Sequence, residues 1–155
     1  MGVGTIDKAT TSMQSNELRI GNWIKIRRTP MQVVAIVNND IKARHETQSK
    51  SITEYLSVDQ VRPIELTEEI LIESGFRFGV SREEAETCVM MSAITYWGDP
   101  TECWISNDDT IHINEDLDSV EIDGMPYFYP NSKLYVHQLQ NLYFALKNKE
   151  LNIVL

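Results

Sequence analysis

Between Asn16 and Leu66, apolar positions recur in short stretches separated by polar turns, the pattern of closely spaced strands. Leu18-Arg19-Ile20 leads through Gly21-Asn22, a turn or bulge pair, into Trp23-Ile24-Lys25-Ile26-Arg27. Side chains alternate along a strand, so Ile24 and Ile26 point one way and Trp23, Lys25 and Arg27 the other. Thr29-Pro30 is expected to break the chain. The β-branched run 33–37 predicts a strand buried on both faces. Asn38-Asn39-Asp40 turns it, Ile41-Lys42-Ala43-Arg44 returns, and 52–56 and 61–66 follow after a polar loop. Five short strands in so short a span predict a small SH3-like β-barrel over 16–66, because closure removes exposed edges. Residues 1–15 lack either periodicity and are expected to form a flexible tail, with Met13 an alternative start.

At Thr67 the pattern changes. Thr67 can cap a short helix, Glu68 and Glu69 suit its positive end, and Gly75 with Phe76 closes it. Strand character returns from 76 to 129. The run 87–97 ends at Gly98-Asp99-Pro100, Asn107-Asp108-Asp109 turns a hairpin, and Asp123-Gly124 carries the strongest two-residue hairpin signal. From 135 to 147, Val136, Leu139, Leu142, Tyr143 and Leu146 fall at helical spacing, Asn148 suits the left-handed end, and 151–155 is expected to be a closing strand. The predicted class is α+β: a barrel over 16–66, then an α+β domain over 67–155. That domain is an antiparallel sheet with a short linking helix and one long C-terminal covering helix.

Charge divides the chain. The net charge of −9 is the sum of +4 over residues 1–50 and −13 over 51–155, and 99–123 holds nine acidic residues and no Lys or Arg. Two cysteines without CxxC spacing, Cys88 and Cys103, form no disulfide framework and suit a reducing compartment. No basic stretch followed by an apolar one opens the chain, and no apolar run approaches the roughly 18 residues that span a bilayer. A cytoplasmic protein of a bacterial host cell, with no membrane contact, is expected.

Three stretches carry a resemblance: Asn16-Glu17-Leu18-Arg19-Ile20-Gly21-Asn22, Arg62-Pro63-Ile64-Glu65-Leu66-Thr67-Glu68-Glu69, and the stretch YVHQLQNLYFAL at 135–146. On these the chain resembles a family of small uncharacterised proteins encoded by phages and prophages of gut Bacteroidetes. It departs from that pattern at Lys147-Asn148, where Thr-Gly is expected. The family has no assigned activity, so the resemblance implies a phage or prophage setting and no functional residues.

The residues offer little chemistry of the catalytic kind. Cys88, Cys103, His112 and His137 lack the paired spacing of zinc ligands, and 107–118 lacks the alternating ligands of a calcium loop. His137 with Ser132 has no nucleophile elbow or phosphate loop to support it. No metal, cofactor or enzymatic activity is expected. Two binding surfaces are. Trp23, Lys25, Arg27, Arg28, Lys42 and Arg44 set an aromatic ring among cations, the means by which single-stranded nucleic acid is held. Asp108, Asp109 and Asp116 with Tyr127 and Tyr129 offer an anionic and aromatic surface to a protein partner from host, phage or a second copy. The expected function is that of a non-enzymatic accessory protein that binds a macromolecule. A protein is the first expectation, nucleic acid the alternative.

Overall fold

A computed structural model describes residues 13–46, 51–79, 102–123, 125–128 and 134–155. The tail over 1–12, the run 87–97 and Gly98-Asp99-Pro100 lie outside the described residues. Two compact units divide the chain, Met1–Ile64 and Glu65–Leu155. Together they make an α+β protein with two five-stranded antiparallel sheets and one long helix.

In the first unit β1 (Trp23–Ile26), β2 (Thr29–Val37), β3 (Asp40–Glu46), β4 (Ser51–Ser57) and β5 (Val61–Arg62) form a sheet of order β4-β3-β2-β1-β5. Among the described pairings β4 and β5 are its two edges. Alternation sets the core: Ile24, Ile26, Met31, Val33, Ile41, Ala43 and Val61 are buried, joined by Met13 and Leu18. Met13 is thus a core residue and Ser15–Glu17 forms a 3-10 turn, so neither belongs to the flexible tail expected over 1–15. A turn follows at Ile20-Gly21, with the Asn22 N–H donating to the Arg19 carbonyl at 3.1 Å.

That turn is what the Gly-Asn pair is for. Gly21 has φ +96°, a conformation open to glycine, and donates its N–H to the Val33 carbonyl at 2.8 Å. Val33 donates to the Asn22 carbonyl at 2.9 Å, so two residues oppose one, the arrangement of a glycine bulge. Asn22 is fully buried, and its Oδ1 accepts the Arg19 N–H at 2.8 Å.

Three strand expectations change, the first being that the strand expected over 61–66 ends at Arg62. Thr29-Pro30 does not break the chain, because the turn is one step earlier, at Arg27-Arg28: Ile26 pairs with Thr29, and Arg27 has φ +57°. Pro30 then faces Lys25 at a non-hydrogen-bonded position, where β1 asks for no N–H. The run 33–37 is buried at Val33 alone, a register shift falls between Val33 and Ala35, and Val37 is 65% exposed. Its β-branching reflects strand propensity rather than burial.

In the second unit β6 (Arg77–Gly79), β7 (Cys103–Ile105), β8 (Ile111–Asn114), β9 (Ser119–Ile122) and β10 (Met125–Phe128) form a meander of order β10-β9-β8-β7-β6. Trp104, Ile113, Val120 and the Ile111–Ile122 pair occupy one face. Helix α1 (Glu68–Glu73) begins with the Thr67 hydroxyl accepting from Ile70 N–H at 3.4 Å. It ends as a Schellman motif: Phe76 N–H to Leu71 O at 2.9 Å, Gly75 N–H to Ile72 O at 3.0 Å, Gly75 at φ +89°. Helix α2 (Val136–Lys147) buries Val136, His137, Leu139, Gln140 and Tyr143, and Asn148 closes it at φ +51°. Its buried stripe therefore runs 136-139-140-143 and leaves Leu146 44% exposed, a rotation from the expected stripe through Leu142 and Leu146. Residues 151–155 form no strand; Ile153 is buried and Val154 N–H reaches Ser74 Oγ at 3.0 Å.

Candidate nucleic-acid interface

Residues opposite each other in neighbouring antiparallel strands share a sheet face. In the first unit one rung runs Trp23, Gln32, Arg44, Thr53 across β1 to β4. A second runs Arg62, Lys25, Pro30, and a third Ala35, Lys42, Tyr55. Residues two apart along a strand also share a face, so all three rungs lie on the side opposite the core. Trp23 and Lys25, which alternation along β1 already groups, stand on one face with Lys42 and Arg44 of β3. Arg27 and Arg28 leave that face for the exposed β1–β2 hairpin tip.

Two residues join them that the sequence reading missed. Tyr55 is 73% exposed, and the Lys42 Nζ sits 5.1 Å from its ring centroid, a cation–π contact. Arg62, paired with Lys25, donates from Nη1 to the carbonyls of Asp59 and Val61 at 2.5 and 2.8 Å. The period-two alternation of 51–57 held the signal for Tyr55; Arg62 had none, because only the β1–β5 register brings it across. The strand positions paired with these cations are polar or apolar and uncharged, apart from the Lys25–Arg62 rung. Asp40 and Glu46 take the two ends of β3. By unit, residues 1–64 carry nine Lys/Arg against six Asp/Glu, net +3, and 65–155 carry five against seventeen, net −12.

The acidic residues named for a protein surface have structural duties. Asp108 Oδ1 accepts from Ser106 Oγ at 2.7 Å, Thr110 Oγ1 at 2.8 Å and Thr110 N–H at 3.3 Å, which organises the β7–β8 turn. Desolvation pulls its carboxyl upward, but the hydrogen bonds from Ser106 and Thr110 together outweigh that and hold it below the usual range. Asp109 approaches His112 Nε2 at 3.3 Å and Arg77 at 3.8 Å. Tyr127 pairs with the buried Val120 and so shares the apolar face, half-buried. Tyr129 lies outside the described residues. Asp116 does stand open, with Glu65, Glu68, Glu69 and Glu115 around a cleft of about 340 Å³. The Thr67 hydroxyl, then its own backbone amide, holds Glu69 below the usual carboxylate range.

Cys88 and Ser132 lie outside the described residues; Cys103 pairs with Asn114 on β8, and His112 with Ile105. His137 is 3% exposed and stacks on Tyr135. Among the described residues no three of His, Cys, Asp and Glu converge to hold a metal ion. Nor, among them, is any helix long and apolar enough to cross a membrane. Comparison with protein-family models, with curated proteins and with solved structures finds no match to this chain.

Proposed function

We propose that this chain is a non-enzymatic binding module whose first unit takes nucleic acid on its basic face. The observation that carries this is the register, which gathers Trp23, Lys25, Lys42, Arg44, Tyr55 and Arg62 onto one side of one sheet. Cations there meet phosphates and rings meet bases. Within the first unit the net charge is +3, so the cations of this face belong to a unit that is itself basic. The sheet order also supports reading this unit as an SH3-like barrel, and the resemblance to phage-encoded proteins supports an accessory role in such a setting.

The test is fluorescence anisotropy with a labelled oligonucleotide at low and at physiological salt. Binding is expected to weaken steeply with salt, and Lys25→Ala is expected to reduce the slope by about 0.7 for one lost phosphate contact on a single strand. Salt-independent binding, or none at low salt, overturns the proposal. The second reading, a protein partner, draws on the carboxylate-rimmed cleft at Glu65, Glu68, Glu69, Glu115 and Asp116, which suits a basic segment. On that reading Lys25→Ala leaves partner binding intact and Asp116→Asn impairs it.

A further inference from the structure

Resting on the nucleic-acid reading of the same face, we infer that its ligand is a single strand lying diagonally across the sheet, and not a duplex. The register places the side chains in order along one line. Arg62 and Lys25 share one rung; Trp23 and Arg44 share the next; Lys42 and Tyr55 share the third. Antiparallel alternation sets the direction: going from Lys25 to Trp23 and from Arg44 to Lys42 is the same displacement along the sheet. The path from the β5 edge to the β4 edge is therefore Arg62, Lys25, Trp23, Arg44, Lys42, Tyr55, with cations on both sides of the first ring and before the second. Glu46 pairs with Ser51 and Asp40 with Ser57, so both acidic positions of β3 fall off this diagonal.

The spacing of the rings decides between strand types. Trp23 and Tyr55 are three strands and two residues apart, about 16 Å by strand spacing and rise. Neighbouring stacked bases are only about 3.4 Å apart, so the rings serve bases several nucleotides apart on an opened strand. That matches the lower end, about 4 nucleotides, of the site sizes of sheet-based single-strand binders. A duplex keeps its base faces stacked inside and offers a sheet only phosphates and groove edges, leaving an exposed ring such as Tyr55 nothing to stack on. The Lys42 ammonium covers one side of that ring, and its 73% exposure leaves the rest accessible.

The experiment uses the full chain, a labelled oligothymidylate of about 12 nucleotides, the same length of oligouridylate, and a duplex of equal length. Tyr55→Ala is the main variant because its side chain is exposed and outside the core; Arg44→Ala is the charge control. The single strands are expected to bind at least about tenfold tighter than the duplex. Tyr55→Ala should weaken single-strand binding by about fivefold to a hundredfold, Tyr55→Phe should retain it, and duplex binding should not respond to either. A hexanucleotide should bind far better than a dinucleotide. If the duplex binds as tightly as the single strand and Tyr55→Ala changes nothing while Arg44→Ala weakens both, this inference fails and the broader nucleic-acid reading stands. If no probe binds, both fall.

Discussion

Asn22 is a demanding place to disturb the first unit, because it is fully buried beside the bulge that leads into β1. Replacing it by alanine removes the acceptor of the Arg19 N–H at 2.8 Å. Leaving that half-buried donor without a partner costs about 1–3 kcal/mol. Part of this is returned, since the Nδ2 of Asn22 is itself buried with no hydrogen-bond partner and its desolvation is relieved. The net expectation for Asn22→Ala is a loss of about 1–2 kcal/mol. For a unit of this size that lowers the midpoint of its thermal transition by at least about 4 °C. Hydrogen exchange locates the effect: the amides of Gly21 and Val33, which close the bulge, should exchange about fivefold to thirtyfold faster. Asn22→Asp keeps the acceptor but buries a charge, so it should destabilise more at neutral pH than Asn22→Ala. Burial raises the introduced carboxyl's folded-state pKa, so its penalty is least in acid and grows as pH rises through the ordinary carboxylate range. Unchanged protection at Gly21 and Val33 in Asn22→Ala would refute the view that this side chain holds the bulge.

Three further expectations concern other elements. Arg27, at φ +57° in a two-residue turn, sits where asparagine is easier, so Arg27→Asn should stabilise the unit by about 0.5–1 kcal/mol in denaturation. In α2, Leu139→Ala should cost about 2–5 kcal/mol, and Leu146→Ala, at 44% exposed, under about 0.5 kcal/mol by urea unfolding. Asp108 is held below its ordinary pKa in the folded state, so its contribution is complete above the unfolded value of about 4 and is lost as pH falls through the lowered one. Asp108→Asn should therefore flatten the stability profile in that acid window, seen as a smaller shift of the urea midpoint between pH 5 and pH 3.

Local chemistry was legible wherever a residue type answers to a backbone need. Gly21-Asn22 spelled a turn or bulge, Gly75-Phe76 a helix end, Asp123-Gly124 a hairpin and Asn148 a left-handed cap, and each stands so: Gly21 and Gly75 have φ +96° and +89°, Asp123 and Asn148 φ +52° and +51°, and Ile122 pairs with Met125. Alternation also separated Ile24 and Ile26 from Trp23 and Lys25, because side-chain direction along one strand depends on nothing else. Depth of burial was not legible in the same way. The run 33–37 looked like a strand covered on both sides, and Leu142 and Leu146 looked like core, since an apolar side chain reports its own preference and not what packs on it. Gln140 and His137 took core positions instead, as the helix turned its 136-139-140-143 stripe inward.

The composition of the candidate interface lay further still from the sequence. Trp23 and Lys25 could be grouped from their own strand, and Lys42 and Arg44 from theirs. Placing the two pairs on one face needs the register Trp23–Gln32–Arg44, which depends on where the Arg27-Arg28 and Asn38-Asn39 turns fall and on the shift between Val33 and Ala35. A slip of one residue in any of these ladders sends Arg44 to the core side. Arg62 enters only through the pairing of β5 with β1, across more than thirty intervening residues. Sequence alone settled which residues could turn, cap and alternate, because those are properties of one residue and its neighbours. Tertiary structure alone decided which cations and rings share a surface, because that follows from hydrogen-bonded register between strands distant along the chain.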